Sequence, residues 1–184
     1  MGTQDALERE RQEIDDIDAS HSGNVIAFVE IPRGSRNKYE YDEAHGTFRL
    51  DRVLYSSVHY PTEYGFVPET LAEDGDPLDI LVLVQEPTFP GCLIEARPLG
   101  GLDMSDEKGS DFKLLAVPVG DPRYAHVENL EHIGSHWLRE IETFFDTYKL
   151  LEGKETEVLG WHDEATARRV IATCRLRYRE TRAK

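Results

Sequence analysis

The stretch DGDPLDILVLV, residues 74–84, joins an acidic loop to a strongly apolar segment. Gly75 and Pro77 are typical turn residues, and the aliphatic residues after them predict a buried β-strand at residues 78–84. Asp79 lies within that strand, so at least one carboxylate of the group would be held on a rigid element at the edge of the core. The same loop is also compatible with a plain surface turn, so its meaning depends on the rest of the chain.

Short apolar or alternating segments on both sides of this strand predict further strands. They lie at residues 25–31, 38–41, 48–52, 93–99, 102–104 and 112–118. Prolines and glycines separate nearly all of them, a pattern that is typical of a barrel of short antiparallel strands.

Helical periodicity occurs only in the last third of the chain. One apolar stripe at helical spacing comprises Trp137, Ile141, Phe144, Phe145 and Tyr148. Asp163 is a suitable N-cap for a second helix. The apolar stripe of that helix comprises Ala167, Val170, Ile171, Cys174 and Tyr178. Strands followed by helices indicate the α+β class, with a β-barrel against which two C-terminal helices pack.

The bulk properties favour one soluble domain. The 184 residues suit a single core at residues 24–184, preceded by an acidic N-terminal extension at residues 1–23. The longest apolar run, residues 80–84, is far too short to span a membrane. The first residues have neither the basic nor the apolar region of a signal peptide, so we expect a cytoplasmic protein that does not contact membranes. Cys92 and Cys174 are expected to be buried thiols rather than a disulfide.

The formal net charge of −15 restricts the choice of partner. Binding to a nucleic-acid backbone requires clustered Lys and Arg, so nucleic acid is not expected. A phosphate substrate would be repelled as well, unless the acidic side chains carry divalent cations that invert the local field.

A second acidic cluster precedes the strand at residues 112–118. It comprises Asp103, Asp106, Glu107 and Asp111. Asp111 and Lys113 would share one face of the strand. One such cluster alone would suggest a solvated loop, but two clusters that each adjoin an apolar strand favour a metal site. Hard carboxylate oxygens are the ligands that Mg²⁺ prefers.

Basic and phenolic side chains form a third set of candidates. They are Lys38, Arg52, Tyr60, Tyr64, Lys113, Tyr148 and Lys149. Each one alone is compatible with a solvated face or with core packing. A site for a polyanion would nonetheless need such donors, and the mouth of a barrel could gather them from several strands.

Taken together, these segments resemble the family I soluble inorganic pyrophosphatases over roughly residues 25–162. The match rests on Glu30-Ile31-Pro32, Lys38-Tyr39-Glu40, Asp51-Arg52, Tyr60-Pro61-x-x-Tyr64-Gly65, residues 74–79, residues 106–113 and Phe144-Phe145-x-x-Tyr148-Lys149. The DGDPxD string within this ordered set is highly specific. The resemblance implies a five-stranded, OB-like antiparallel β-barrel flanked by two C-terminal helices. It also implies an enzyme that hydrolyses pyrophosphate to two phosphates with several Mg²⁺ ions per site.

The resemblance further implies roles for individual residues. The metal ligands would be Glu30, Asp74, Asp79, Asp106 and Asp111. Asp76 would be the general base that takes a proton from water. The side chains that grip the phosphates would be Lys38, Arg52, Tyr64, Lys113, Tyr148 and Lys149, of which Lys38, Arg52 and Tyr64 would act with Asp76 in catalysis. Glu40 and Tyr60 would orient these groups.

The chain departs from the family at a point that bears on assembly. Some bacterial members carry histidines in the helix before the Tyr-Lys pair, where they help to join trimers into hexamers. This chain has Thr143 and Thr147 at those positions. A homo-oligomer, and specifically a hexamer, is therefore expected by analogy alone.

Two other functions remain open at this point. A hydrolase of nucleoside triphosphates, or of another phosphoanhydride, would use the same chemistry, but we see no dedicated aromatic or apolar shelf for a base. A metal-binding or oligonucleotide-binding barrel without catalysis would explain the acids. It would leave Lys38, Arg52, Tyr148 and Lys149 without a purpose.

Overall fold

The computed structural model describes Gln12, residues 23–107 and residues 109–183. Apart from Gln12 and Gly23, the expected N-terminal extension lies outside these residues. The strands are β1 (Val25–Ile31), β2 (Asn37–Asp42), β3 (Thr47–Val53), β4 (Glu63–Phe66), β5 (Asp79–Val82), β6 (Leu93–Asp106), β7 (Gly109–Pro118) and β8 (Glu157–Asp163). The α-helices are α1 (Ser135–Thr147) and α2 (Glu164–Arg182).

Five strands close into a barrel in the order β1, β4, β5, β7 and β6, with β1 and β6 pairing to complete the ring. Four of these pairings are antiparallel, whereas β5 and β7 run parallel, with Asp79 opposite Lys113. Strand β8 pairs with the other edge of β6, and β2 and β3 form a separate hairpin. The predicted five-stranded barrel with two C-terminal helices is confirmed, with one of its strand pairs parallel.

The central strands bury both of their faces. Leu81 and Leu115 belong to a core cluster that includes the apolar stripe of α1. Ile80 and Leu114, on the opposite face of the same two strands, pack in a second cluster with the stripe of α2. Successive residues of a strand point to opposite sides, so two helices on two faces require an uninterrupted apolar run. Burial on both faces therefore explains the apolar run that follows Asp79.

Three strands differ from the sequence-based expectation. Residues 93–99 and 102–104 belong to one strand, β6, which continues through a bulge between Pro98 and Gly100. Strands β4 and β8 were not predicted. In β4 the pattern is broken by Gly65, which the fold requires because a Cβ there would lie 1.9 Å from the carbonyl oxygen of Phe28. Strand β8 is mostly exposed or half-buried, so it lacks an apolar pattern.

Both helices confirm the sequence pattern. The Oδ1 atom of Asp163 accepts a hydrogen bond of 2.9 Å from Thr166 N at the start of α2, as expected for an N-cap. Cys92 and Cys174 are free thiols; Cys174 is buried, while Cys92 is only half-buried. No helix among the described residues is both long and apolar enough to cross a membrane.

Candidate active site

Four side chains from adjacent barrel strands meet in what we call the barrel-end cluster: Tyr64 on β4, Asp79 on β5, and Asp111 and Lys113 on β7. Lys113 Nζ lies 2.6 Å from Asp79 Oδ2 and 2.9 Å from both carboxylate oxygens of Asp111. The hydroxyl of Tyr64 donates to Asp79 Oδ2 at 2.5 Å. The parallel pairing of β5 with β7 positions these groups, because it sets Asp79 directly beside Lys113.

Burial makes the electrostatics of this cluster strong. Lys113 is 2% exposed, and burial alone would lower its pKa, but Asp79 and Asp111 outweigh that effect and raise it. Burial also raises the pKa of Asp111, against the attraction of Lys113. Two carboxylates share one ammonium group here, so the cluster retains an excess of negative charge that a further cation could offset.

A second ion-pair group lies at the end of α1. Lys149 Nζ donates to Asp106 Oδ2 at 2.7 Å and lies 3.4 Å from Glu107 Oε2. Lys149 is buried and Asp106 is nearly so, with side-chain exposures of 8% and 9%. This contact joins the end of α1 to the end of strand β6.

The β2–β3 hairpin carries a third group, the hairpin cluster of Lys38, Glu40, Asp51 and Arg52. Lys38 pairs in register with Arg52, so the two cations lie side by side. Lys38 contacts Glu40 and lies 3.5 Å from Asp51 Oδ2. Arg52 Nη1 donates to the same Asp51 oxygen at 3.1 Å. Burial acts to raise the pKa of Glu40, but the hydrogen bond from Lys38 and the field of Arg49 bring it below its usual value.

Glu30 joins the hairpin to the barrel. Its Oε1 atom accepts a hydrogen bond of 2.8 Å from the backbone N–H of Tyr41 on β2. Burial raises the pKa of Glu30 to about 7, assisted by the negative charge of Asp79. The charges of Asp79, in the barrel-end cluster, and of Lys38, in the hairpin cluster, thus both act on the Glu30 carboxyl group.

Tyr60 and Tyr148 lie between these groups. Both are buried, and the ring of Tyr60 lies 4.8 Å from that of Phe144 and 5.3 Å from that of Tyr64. Burial raises the pKa of Tyr148, which Lys113 and Lys149 both act to lower. The Tyr148 phenol is therefore near the barrel-end cluster and near Lys149 at once. Members of the three ion-pair groups are therefore close enough to influence one another electrostatically.

Comparison with known proteins identifies the family. The profile of the inorganic pyrophosphatases matches residues 27–179. A relative named inorganic pyrophosphatase from Methanosarcina mazei is 54% identical over 152 residues, which are 83% of this chain and 90% of that protein. The chain belongs to the inorganic pyrophosphatase family. A crystal structure of the family member from Thermus thermophilus shares 45% identity with a TM-score of 0.84, covering 86% of this chain and 92% of that one.

The structure brings together most residues that the sequence selected for a pyrophosphatase site. Asp74 and Asp76 lie in an exposed turn before β5, where Asp76 N donates to Asp74 Oδ1 at 3.1 Å. Within the described residues, no three Asp, Glu, His or Cys side chains converge as a ready-made metal cage. Asp79 and Asp111 converge instead on the ammonium group of Lys113.

Magnesium is the metal that membership of this family implies, and the donor chemistry fits it. Asp79 and Asp111 offer hard carboxylate oxygens to one cationic position, which Lys113 Nζ takes at 2.6 and 2.9 Å. Mg²⁺ commonly binds through one or two carboxylates and completes its shell with water and substrate phosphates. The residues present are therefore suitable without a complete protein cage.

Sequence reasoning assigned no role to two carboxylates that contact Lys38 or Arg52. In the sequence, Asp51 stands out only as part of the Asp51-Arg52 motif, yet its carboxylate contacts both cations of the hairpin cluster. Glu152 had no assigned role, and its Oε1 atom lies 3.1 Å from Arg52 Nε. The available signal was weak: an acid beside Arg52, and an acid three residues after Lys149.

Proposed function

We propose that this chain hydrolyses inorganic pyrophosphate to two phosphate ions, with carboxylate-held magnesium and with Lys, Arg and Tyr side chains that grip the phosphates. The barrel-end cluster is the observation that supports this most directly. Its two carboxylates and one buried ammonium group alternate in sign within 3 Å of one another. Such alternation suits a substrate that combines a polyanion with divalent cations.

The proposed magnesium ligands come from four strands and one turn. They are Glu30, Asp74, Asp79, Asp106 and Asp111. Magnesium bound there would offset phosphate charge and lower the pKa of water. The strands fix four of these residues in place before any ligand arrives, and Asp74 follows on the turn before β5.

The cations and phenols of the chain would bind the phosphate oxygens. Lys38 and Arg52 have side chains that are 21% and 24% exposed, so both can reach an outside ligand. Lys113 and Lys149 offer ammonium groups on the buried side. Burial raises the pKa of Tyr64 and of Tyr148, so both phenols keep their protons at neutral pH and can donate hydrogen bonds.

Asp76 is proposed as the general base. It lies on an exposed turn that its own backbone contact with Asp74 orders, and it would accept a proton from the attacking water. Glu40 would orient Lys38 through their ion pair. Tyr60 would orient Tyr64 and Tyr148 through ring packing on the aromatic cluster.

We also propose a cytoplasmic homo-oligomer, a hexamer by analogy with the family. The proposed assembly surface is the outer side of α1, along which a groove of about 810 Å³ runs. Its lining includes Tyr60, Trp137, Thr143 and Thr147. Light scattering coupled to size exclusion would measure the mass of the assembly directly.

The test of the activity is phosphate release from pyrophosphate with magnesium and with a chelator, with ATP as the comparison substrate. Rapid release that requires magnesium and largely spares ATP is the expected result. Preference for ATP would favour a nucleoside triphosphatase. No release with magnesium, manganese or zinc would favour a binding module without catalysis.

A further inference from the structure

Glu152 is a carboxylate of the site that the proposed mechanism does not use. Its side chain is 7% exposed, and its Oε1 atom lies 3.1 Å from Arg52 Nε. Among the described residues neither atom has a well-aligned hydrogen-bond partner, so the contact is an ion pair. We propose that Glu152 is a positioning residue that holds the Arg52 guanidinium in the orientation that binds pyrophosphate. This inference rests on the proposed role of Arg52.

A short hydrogen-bonded turn presents Glu152. Residues Leu150–Glu152 form a single-turn 3-10 helix directly after α1. Glu152 N donates to Lys149 O at 2.9 Å, and Gly153 ends the turn with a φ of 69°. Lys149 is the N-cap residue of this turn, three residues before Glu152. One short turn thus holds a proposed phosphate ligand and the carboxylate that contacts Arg52.

Arg52 needs support from outside its own hairpin. Strands β2 and β3 form a two-stranded sheet apart from the barrel. Asp51, which binds Arg52 Nη1, is the preceding residue of the same strand and moves with it. Glu152 belongs to a different element, so its contact with Nε fixes the guanidinium relative to Lys149. Neither the contact with Asp51 nor the contact with Glu152 uses the Nη2 atom of Arg52.

The direction in which KM changes in Glu152→Gln distinguishes positioning of Arg52 from a general effect of charge. Removing a negative charge near a polyanion site should by itself strengthen binding of pyrophosphate. Releasing the Arg52 guanidinium should weaken it, because misplacement of a binding group costs affinity. An increase in KM for Glu152→Gln therefore indicates positioning.

The experiment measures steady-state kinetics of the full chain with saturating magnesium. We expect Glu152→Gln to raise KM at least about fivefold with a smaller change in kcat. Glu155→Gln is the matched control, because Glu155 is an exposed acid in the same segment and its variant removes the same charge. Glu152→Asp keeps the charge but withdraws it from Arg52, so it should give an intermediate KM and also serves if the glutamine variant does not fold.

A double-mutant cycle with Arg52→Lys completes the test. If Glu152 acts through Arg52, the two changes together should raise KM no further than Arg52→Lys alone. Additive effects, or a KM for Glu152→Gln that falls or stays level, would overturn the inference. If Arg52→Lys itself leaves KM and kcat unchanged, the proposed role of Arg52 fails first, and the inference fails with it.

Discussion

The barrel-end cluster and the hairpin cluster both pair carboxylates with cations, but they are built differently. Tyr64, Asp79, Asp111 and Lys113 lie on neighbouring strands of a closed barrel, and Lys113 is 2% exposed. Lys38, Asp51 and Arg52 lie on a two-stranded hairpin, with side-chain exposures of 21–27%. The first group is held by the closed barrel. The second is held by its own ion pairs and by the contacts of the hairpin with Glu30 and Glu152.

This difference assigns different energetic roles to similar contacts. Removing one partner of a buried pair leaves an uncompensated charge and is strongly destabilising. Partly exposed pairs contribute little to stability because water competes for both partners. We therefore infer that the barrel-end contacts support folding as well as chemistry, whereas the hairpin contacts mainly orient side chains.

Lys113→Met gives the largest expected effect. Asp79 and Asp111, whose side chains are 26% and 17% exposed, would lose the buried ammonium group that they share, so the free energy of unfolding should fall by about 3 kcal/mol, the lower end of the range for a buried pair. Urea unfolding in the presence of a chelator measures this. Added magnesium should restore more stability to the variant than to the native chain, because a metal bound only by the folded state stabilises it. An unchanged urea midpoint would contradict the assigned role of the barrel-end cluster.

Asp79→Asn tests the chemistry of the same cluster. It removes the charge that contacts both Lys113 and Tyr64, and kcat should fall at least about 10²-fold. Glu73→Gln is the control, because Glu73 is exposed and pairs only loosely with Arg177, at 3.5 Å. Turnover that stays at the native level in Asp79→Asn at saturating magnesium would remove Asp79 from the catalytic set.

Asp51→Asn gives the smallest expected effect and completes the comparison. The free energy of unfolding should change by less than about 1 kcal/mol, because the contacts of Asp51 are partly exposed. KM should rise about two- to fivefold, because Lys38 and Arg52 lose the carboxylate that they share. On one preparation, thermal unfolding measures the change in stability and steady-state kinetics measure the change in KM. A large loss of stability would show that the hairpin supports the fold after all.

Local sequence patterns predicted the elements whose burial follows a simple period. The apolar run after Asp79 and the two helical stripes are of this kind. The pattern did not predict strand β4, because Gly65 and the buried Glu63 interrupt it. The Glu63 carboxylate accepts a hydrogen bond of 2.8 Å from Thr88 N. The pattern did not predict strand β8 either, because little of that strand is buried.

The candidate site shows the same limit. Residue types and spacing, together with the resemblance, selected most of its side chains. They did not predict that Lys113 lies between Asp79 and Asp111, because the pairing of Lys113 with Asp79 joins residues 34 positions apart through barrel closure. Nor could a local pattern have paired Glu152 with Arg52, since this contact depends on where a hairpin meets a distant turn.

The close approach at Gly65 also limits how the protein can evolve. Every other amino acid has a Cβ, and here it would fall 1.9 Å from a backbone oxygen of the neighbouring strand. Any substitution at this position would push β4 away from β1, and the adjacent Tyr64 would move with β4. Purifying selection on the activity should therefore preserve a residue that has no side chain and performs no chemistry.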